Sequence, residues 1–288
     1  MAVPQNNSAV SPQPGPSLAG IGDPAASANG PALKKTWPSN RWDPRVLVLQ
    51  CAVVTCLLLL WEVAVRSGLT PAYLYGQPSG IWLKAVNSIA SGSLLRDSWV
   101  TFEESVAGFV IGGVLGTAAG LALWISPLVG KVARPIIVAL NGVPKIALAP
   151  LIIIWFGIDV GSKVASAAIL TFIVSLITAQ SGTSRVDADL LTLMRSLGAS
   201  RWQTFRKVVM PATVPWIMAG LRLNVGFALI GAVVGEYIAA KEGLGYLVYY
   251  AGTLYDLNSV WLGIFALMLM ALVLDGAVTV LERALRWE

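Results

Sequence analysis

Apolar residues run along this chain in six long stretches, over about 46–65, 104–125, 134–156, 163–182, 214–239 and 259–281. None shows the two-residue alternation of a strand. A hydrocarbon core of ~30 Å is crossed by ~20 helical residues, and each stretch approaches or reaches that length. In lipid every backbone polar group must be satisfied within the protein, so the pattern predicts an all-α membrane protein with about six transmembrane helices. Before the first stretch, residues 1–44 scatter Pro4, Pro12, Pro14, Pro16, Pro24, Pro31 and Pro38 among Ser, Ala, Asn and Gly, with no apolar period. That composition predicts a disordered tail, with the transmembrane body confined to 45–288. The run near Val46 leads into Glu62 and Arg66 without a small-residue cleavage pattern, so it does not read as a secretory signal.

Composition agrees with the pattern: 56% hydrophobic, 12% charged and mean hydropathy +0.72. A soluble domain carries about a quarter of its residues charged. The formal charge of +5 sits at the ends of apolar stretches and not on one soluble face, which argues against nucleic acid as a partner. With the N-terminus inside, thirteen basic residues are cytoplasmic (Lys34, Lys35, Arg41, Arg45, Lys131, Arg134, Arg185, Arg195, Arg201, Arg206, Lys207, Arg283, Arg286) and five are external (Arg66, Lys84, Arg96, Lys163, Lys241). The positive-inside rule therefore predicts both termini in the cytoplasm. Histidine is absent, which removes His triads and His metal sites, and no metal site is expected. Cys51 and Cys56 lie five residues apart on one helix, roughly 8 Å from each other and too far to bridge.

Between the stretches, 66–103 holds Pro71, Pro78 and a weakly amphipathic segment near 81–89, expected along the outer surface. The Gly- and Tyr-rich loop 240–258 carries Leu244, Leu247, Val248 and Tyr249, which favour a dip back toward the membrane. Gly108, Gly112, Gly116 and Gly120 place a glycine every fourth residue on one helical face, suited to close helix packing within the chain or at a subunit interface. Lys145 lies between Pro144 and Pro150, and Arg222, Asn224 and Glu236 fall in the fifth stretch. Charged groups at such depth are either pathway residues or structural pairs; Glu236, Glu62 and Asp275 are the available partners for Lys145 and Arg222.

The basic segment 183–213 is the most informative part outside lipid. Leu190, Leu193, Met194 and Leu197 recur at helical spacing, Gly198 interrupts, and a second helical stretch over 200–209 exposes Arg201, Arg206 and Lys207. Pro211 and Pro215 then mark re-entry into the membrane. An amphipathic helix–Gly–helix with no lipid beneath it needs a groove on a partner protein to cover its apolar face.

Here the sequence resembles the permease subunits of binding-protein-dependent ABC importers. Their cytoplasmic signature reads Glu-Ala-Ala, three residues, Gly, nine residues, Ile, one residue, Leu-Pro. Gly198, Val208 and Met210-Pro211 keep that spacing, while Thr192, Leu193 and Met194 stand at the acidic triplet, so the family's acidic contact to the ATPase is missing. The run 195–200 is similar to the nitrate, sulfonate and taurine branch. So are Pro144-Lys145-Ile146-Ala147, Trp155-Phe156-Gly157, Gly220-Leu221-Arg222, and Glu236 followed by Gly243-Leu244-Gly245-Tyr246. These matches cover the chain from about 95 to 281. The resemblance implies a type I ABC importer transmembrane domain at the bacterial inner membrane, working as a homodimer of permeases with two ATP-binding subunits below and a periplasmic or lipid-anchored binding protein above. It implies ATPase coupling by Leu193, Met194, Arg195, Gly198, Ala199, Ser200, Arg201 and Pro211, and a translocation path drawing on Lys145, Arg222, Asn224 and Glu236. It also implies a small anionic solute such as a sulfonate, taurine or nitrate. No G-x-x-x-x-G-K-[ST] loop is present, so ATP and Mg would be held by the partner and this chain would be non-catalytic. A gradient-driven transporter or channel is the alternative. An intramembrane enzyme is disfavoured by the missing histidine and by the lack of a convergent carboxylate pair in the sequence.

Overall fold

The computed structural model describes residues 44–285. The expected disordered tail, and with it Lys34, Lys35, Arg41 and Arg286 of the charge count, lies outside the described residues. The chain divides into two units at Val53–Val54, of which the first is described only from Pro44 on and the second over 54–285. Among the described residues there is no strand. Helix α1 spans Pro44–Arg66, α2 Ala72–Tyr75, α3 Pro78–Ala90, α4 Ser93–Ile125, α5 Pro127–Gly142, α6 Ala149–Phe156 and α7 Val160–Ser184. There follow α8 Ala188–Ser196, α9 Arg201–Thr204, α10 Met210–Ala239, α11 Leu244–Thr253 and α12 Leu257–Leu285. Among the described residues five helices are long and apolar enough to cross a membrane, or six if the bent pair Pro127–Gly142 and Lys145–Phe156 is counted as one span.

The stretch expected as one span over 134–156 is thus divided at its prolines. The two pieces meet at 92°. Proline at 144 offers no N–H and pushes the preceding residue out of the helical region, and Val143 accordingly has φ −71° and ψ 131°. A 3-10 turn, Lys145–Leu148, then leads into α6, where Pro150 sits in the first turn and needs no hydrogen-bond partner. The second span is longer than expected, starting at Ser93 rather than near 104. Its first turns, Asp97 included, fall in the segment expected outside the membrane, yet Asp97 and the following Glu104 are both buried against other elements.

The centre of the larger unit is α7, held between α4 and α10. The four-residue glycine ladder of α4 faces α7: Gly108 lies over Ala167 and Ala168, Gly112 over Thr171, Gly116 over Phe172 and Ser175, Gly120 over Leu176 and Ala179. On the other side Gly220 meets Thr178, Gly231 meets Ala167 and Gly235 meets Lys163. Small residues on all three helices let the backbones approach, and dispersion then supplies association that hydrophobicity cannot supply between helices in lipid. Val225, Leu229, Leu244, Met270 and Val278 form the apolar core among α10, α11 and α12. By contrast α1 exposes apolar side chains along its length, as a helix facing lipid does. Near its end Glu62 accepts from the Ser79 amide at 3.0 Å and hydroxyl at 2.8 Å and pairs with Arg66 at 2.6 Å, while Trp61 packs edge-on against Trp261.

Candidate functional site

The 183–213 segment forms the helix–Gly–helix that its spacing predicts. Asp187 caps the start of α8, its carboxylate accepting the Asp189 amide. Past its end, Gly198 adopts φ +71°, a conformation that costs any residue with a Cβ roughly 1–2 kcal/mol. Its amide donates to Arg195 O at 2.9 Å and that of Ala199 to Met194 O at 3.0 Å, the paired bonds that close a helix at a left-handed residue. Ser200 immediately starts the next helix with a capping box: its hydroxyl accepts the Gln203 amide, and its own amide donates to Gln203 Oε1 at 2.8 Å. Leu190, Leu193 and Leu197 are exposed, Met194 is half-buried, and Arg195 and Arg201 are exposed. Space around Gly198 is open.

The second half of the segment differs from expectation. No break separates it from the fifth span: α9, a π turn at Phe205–Val209, and α10 form one helical run over Arg201–Ala239. The π turn shifts the hydrogen-bond register just ahead of Pro211, whose missing N–H falls in the first turn of α10, and the run continues through Pro215. This run is fastened to the end of α4. Arg201 Nη1 donates to Ile125 O at 3.2 Å, satisfying a carbonyl left open at a helix C-terminus, and Phe205 stacks between Trp124 and Trp202 with ring centroids 5.9 and 5.5 Å away.

At the opposite end of α4 and α10 lies a buried polar knot. The amides of Gly243, Leu244 and Gly245 at the start of α11 donate in turn to Asp97 Oδ1 at 3.2 Å, Thr101 Oγ1 at 2.8 Å and Glu236 Oε2 at 2.5 Å. Thr101 Oγ1 donates to Glu236 Oε1 at 2.6 Å. Negative side chains at a helix N-terminus satisfy its free N–H groups and complement its dipole. Gly243, at φ +112°, and Gly245 both abut the Glu236 carboxylate, where any Cβ would collide with it. Beside this stand Glu104 and Lys163, paired at 3.8 Å and both buried. Glu104 and Glu236 face each other, so a convergent carboxylate pair exists where none was expected. Lys163, counted above as an external charge, is 7% exposed.

The four pathway candidates have separate settings. Lys145 is half-buried in the 3-10 turn, against a cavity of about 10 Å³ shared with Ile152, Ser166, Leu170 and Gly231. Arg222 pairs with Glu282 at 2.6 Å, which is none of the three carboxylates expected for it. Asn224 is buried and donates to Ser175 Oγ at 2.5 Å. Glu236 is enclosed in the knot. Sequence reading missed Asp97, Thr101 and Glu104, although their spacing continues the stripe of Gly108 and Gly112 and so marked them as facing the same neighbour. Glu282, Phe205 and Trp124 carried no comparable signal.

Residues 108–287 match the family of binding-protein-dependent transport system inner membrane components. The riboflavin transport system permease protein RibX of Chloroflexus aurantiacus is 32% identical over 266 residues, covering 89% of this chain and 99% of its own. A putative aliphatic sulfonates transport permease protein, SsuC of Bacillus subtilis, is 32% identical over 261 residues, covering 90% and 94%. The taurine transport system permease protein TauC of Escherichia coli is 30% identical over 259 residues, covering 88% and 92%. Among solved structures, the inward-facing MetNI methionine ABC transporter has a TM-score of 0.61 at 18% identity, over 69% of this chain and 98% of the matched one. At that identity the likeness is one of fold.

Proposed function

The chain belongs to the binding-protein-dependent ABC importer permeases, with a type I transmembrane domain, and from that membership we propose that segment 183–213 is where an ATPase subunit docks and drives transport. The observation that carries this reading is α8: an amphipathic helix with Leu190, Leu193 and Leu197 exposed, ended by Gly198, whose continuation runs unbroken into α10. A partner groove covers that apolar face without the acidic triplet, through Leu193 and Met194 and the charges of Arg195 and Arg201. Two copies of this chain form the path between them, two ATP-binding subunits holding ATP and Mg lie below, and a periplasmic or lipid-anchored binding protein delivers solute from above. Closure of the ATPases rocks the helices between inward and outward access. Both termini lie in the cytoplasm, the chain sits in the bacterial inner membrane, and it contributes no catalytic group. Family membership sets aside the gradient-driven alternative.

The solute we assign is a small anion, a sulfonate or taurine first and nitrate next. Relatives named for aliphatic sulfonates and taurine support it, and so does Lys145, which has no ion pair among the described residues. Relatives named for riboflavin and formylaminopyrimidine define the competing class. Co-expression with the ATPase is expected to yield a two-plus-two complex that Gly198→Arg abolishes; an intact complex from that variant refutes the docking assignment. Uptake of taurine but not riboflavin by the reconstituted importer, lost in Lys145→Gln, tests the solute.

A further inference from the structure

The knot at the start of α11 and the tie at the end of α4 lie on the same two helices, about 40 Å apart by the helical rise from Asp97 to Ile125. At one end Arg201, Phe205 and Trp124 fasten the helix–Gly–helix segment to α4. At the other, α4 contributes Asp97 and Thr101, and α10 contributes Glu236, to hold the first three amides of α11. Helix α4 runs unbroken between these points; on the other side the π turn Phe205–Val209 lies between the tie and α10, and α10 continues as one helix to the knot. Helix α11 itself is short, with Leu244, Gly245, Val248 and Ala251 buried and Tyr249 and Tyr250 half-exposed.

We propose that Thr101 and Glu236 are positioning residues for transport: they make α11 a rigid extension of α4 and α10, so that a displacement entering at segment 183–213 is delivered to the far mouth of the path. This rests on the ATPase-docking reading above. The physical basis is the quality of the joint. Glu236 uses both carboxylate oxygens, one on the Thr101 hydroxyl and one on the Gly245 amide, and Thr101 relays to the Leu244 amide. Hydrogen bonds of this kind, shielded from water, are strengthened by their surroundings and are not exchanged for solvent. Gly243 and Gly245 are then needed at those two places because the carboxylate lies against their backbones. Without the joint, α11 would remain attached to α10 only by the connecting chain and by apolar packing, which resists sliding poorly.

The test uses the full importer with Cys51 and Cys56 replaced by serine and a bimane label at Ser196→Cys in α8 or at Leu254→Cys just past α11, both exposed positions. Emission is compared between the nucleotide-free and vanadate-trapped complexes. Both labels are expected to respond in the otherwise native chain. Thr101→Val and Glu236→Gln keep the Ser196→Cys response but reduce the Leu254→Cys response at least several-fold, lower solute uptake per ATP hydrolysed, and leave hydrolysis itself standing; Thr101→Ser restores both. A Leu254→Cys label silent in the native background overturns the proposal whether or not the variants fold, and so does an undiminished response in Thr101→Val. A Ser196→Cys label that does not respond to nucleotide overturns the docking reading instead, and the inference falls with it.

Discussion

Gly112→Ala offers the sharpest measure of the α4–α7 contact. A Cβ at this position would lie against the Thr171 hydroxyl, the Ala168 carbonyl oxygen and, at 2.9 Å, the Phe172 amide nitrogen. Two of these are backbone atoms and cannot rotate away. The hydroxyl is also held, with Oγ1 within 3.1 Å of Gly108 O, 2.9 Å of Ala167 O and 3.1 Å of Ala168 O. The helices must separate by a few tenths of an ångström or more, which loosens contacts along the whole ladder. Overpacking of this kind costs about 1–3 kcal/mol, and disturbing the threonine bonds adds up to about 1 kcal/mol. At about 2–4 °C per kcal/mol for a chain of this size, the melting temperature should fall by roughly 2–16 °C. The adjacent Gly113→Ala is the internal control, since its Cβ would meet only Leu221 Cδ2 at 3.6 Å, an ordinary contact. Tryptophan-emission melts of the two variants in the same detergent decide the matter. If Gly112→Ala melts with the native protein, or both variants fall equally, the ladder is not the close contact described.

Other predictions follow from the same geometry. Phe205→Ala should remove the stack on Trp124 that fastens the segment to α4 and the stack on Trp202 within the segment, at about 3–5 kcal/mol for a buried phenylalanine, and change the emission of both tryptophans. Gly198→Asn should retain more ATPase in co-purification than Gly198→Val and should melt closer to the native protein, because the site has open space but a left-handed backbone that Asn tolerates better than a β-branched residue. Burial raises the Asp256 pKa, but hydrogen bonds from Lys84 and Ser259 outweigh it and hold the group below its ordinary 3.8. A depressed pKa contributes stability that is present above 3.8 and lost as pH falls through the lower folded value, so the melting-temperature gap between the native chain and Lys84→Met should be full at neutral pH and close below that point. An unchanged gap in acid would mean that the Lys84–Asp256 contact carries no charge-dependent stability.

Much of the architecture was legible because lipid imposes few choices. Apolar runs of fixed length must be helices, a glycine every fourth residue must be a close-packed face, and Gly198 followed by Ser200 contains both a helix stop and a helix start. Fold class and the helix–Gly–helix therefore followed from residue type and spacing alone. What spacing could not decide was which distant groups meet. Glu236 read as a pathway residue or a partner for Lys145 or Arg222, Lys163 as an external charge and Glu104 as nothing in particular, because burial on folding is invisible to a hydropathy window. Only the packing of α4, α7 and α10 brings them together and turns Asp97, Thr101 and Glu236 into the clamp on α11. The same limit applies to the third span, where two prolines announced a disturbance but only the tertiary structure fixed its 92° bend, and to Arg222, whose partner Glu282 lies 60 residues along the chain. Local sequence sets the conformation of each segment through short-range sterics and the demand for hydrogen bonds; the pairing of charges across helices depends on the contact geometry that only the folded bundle supplies.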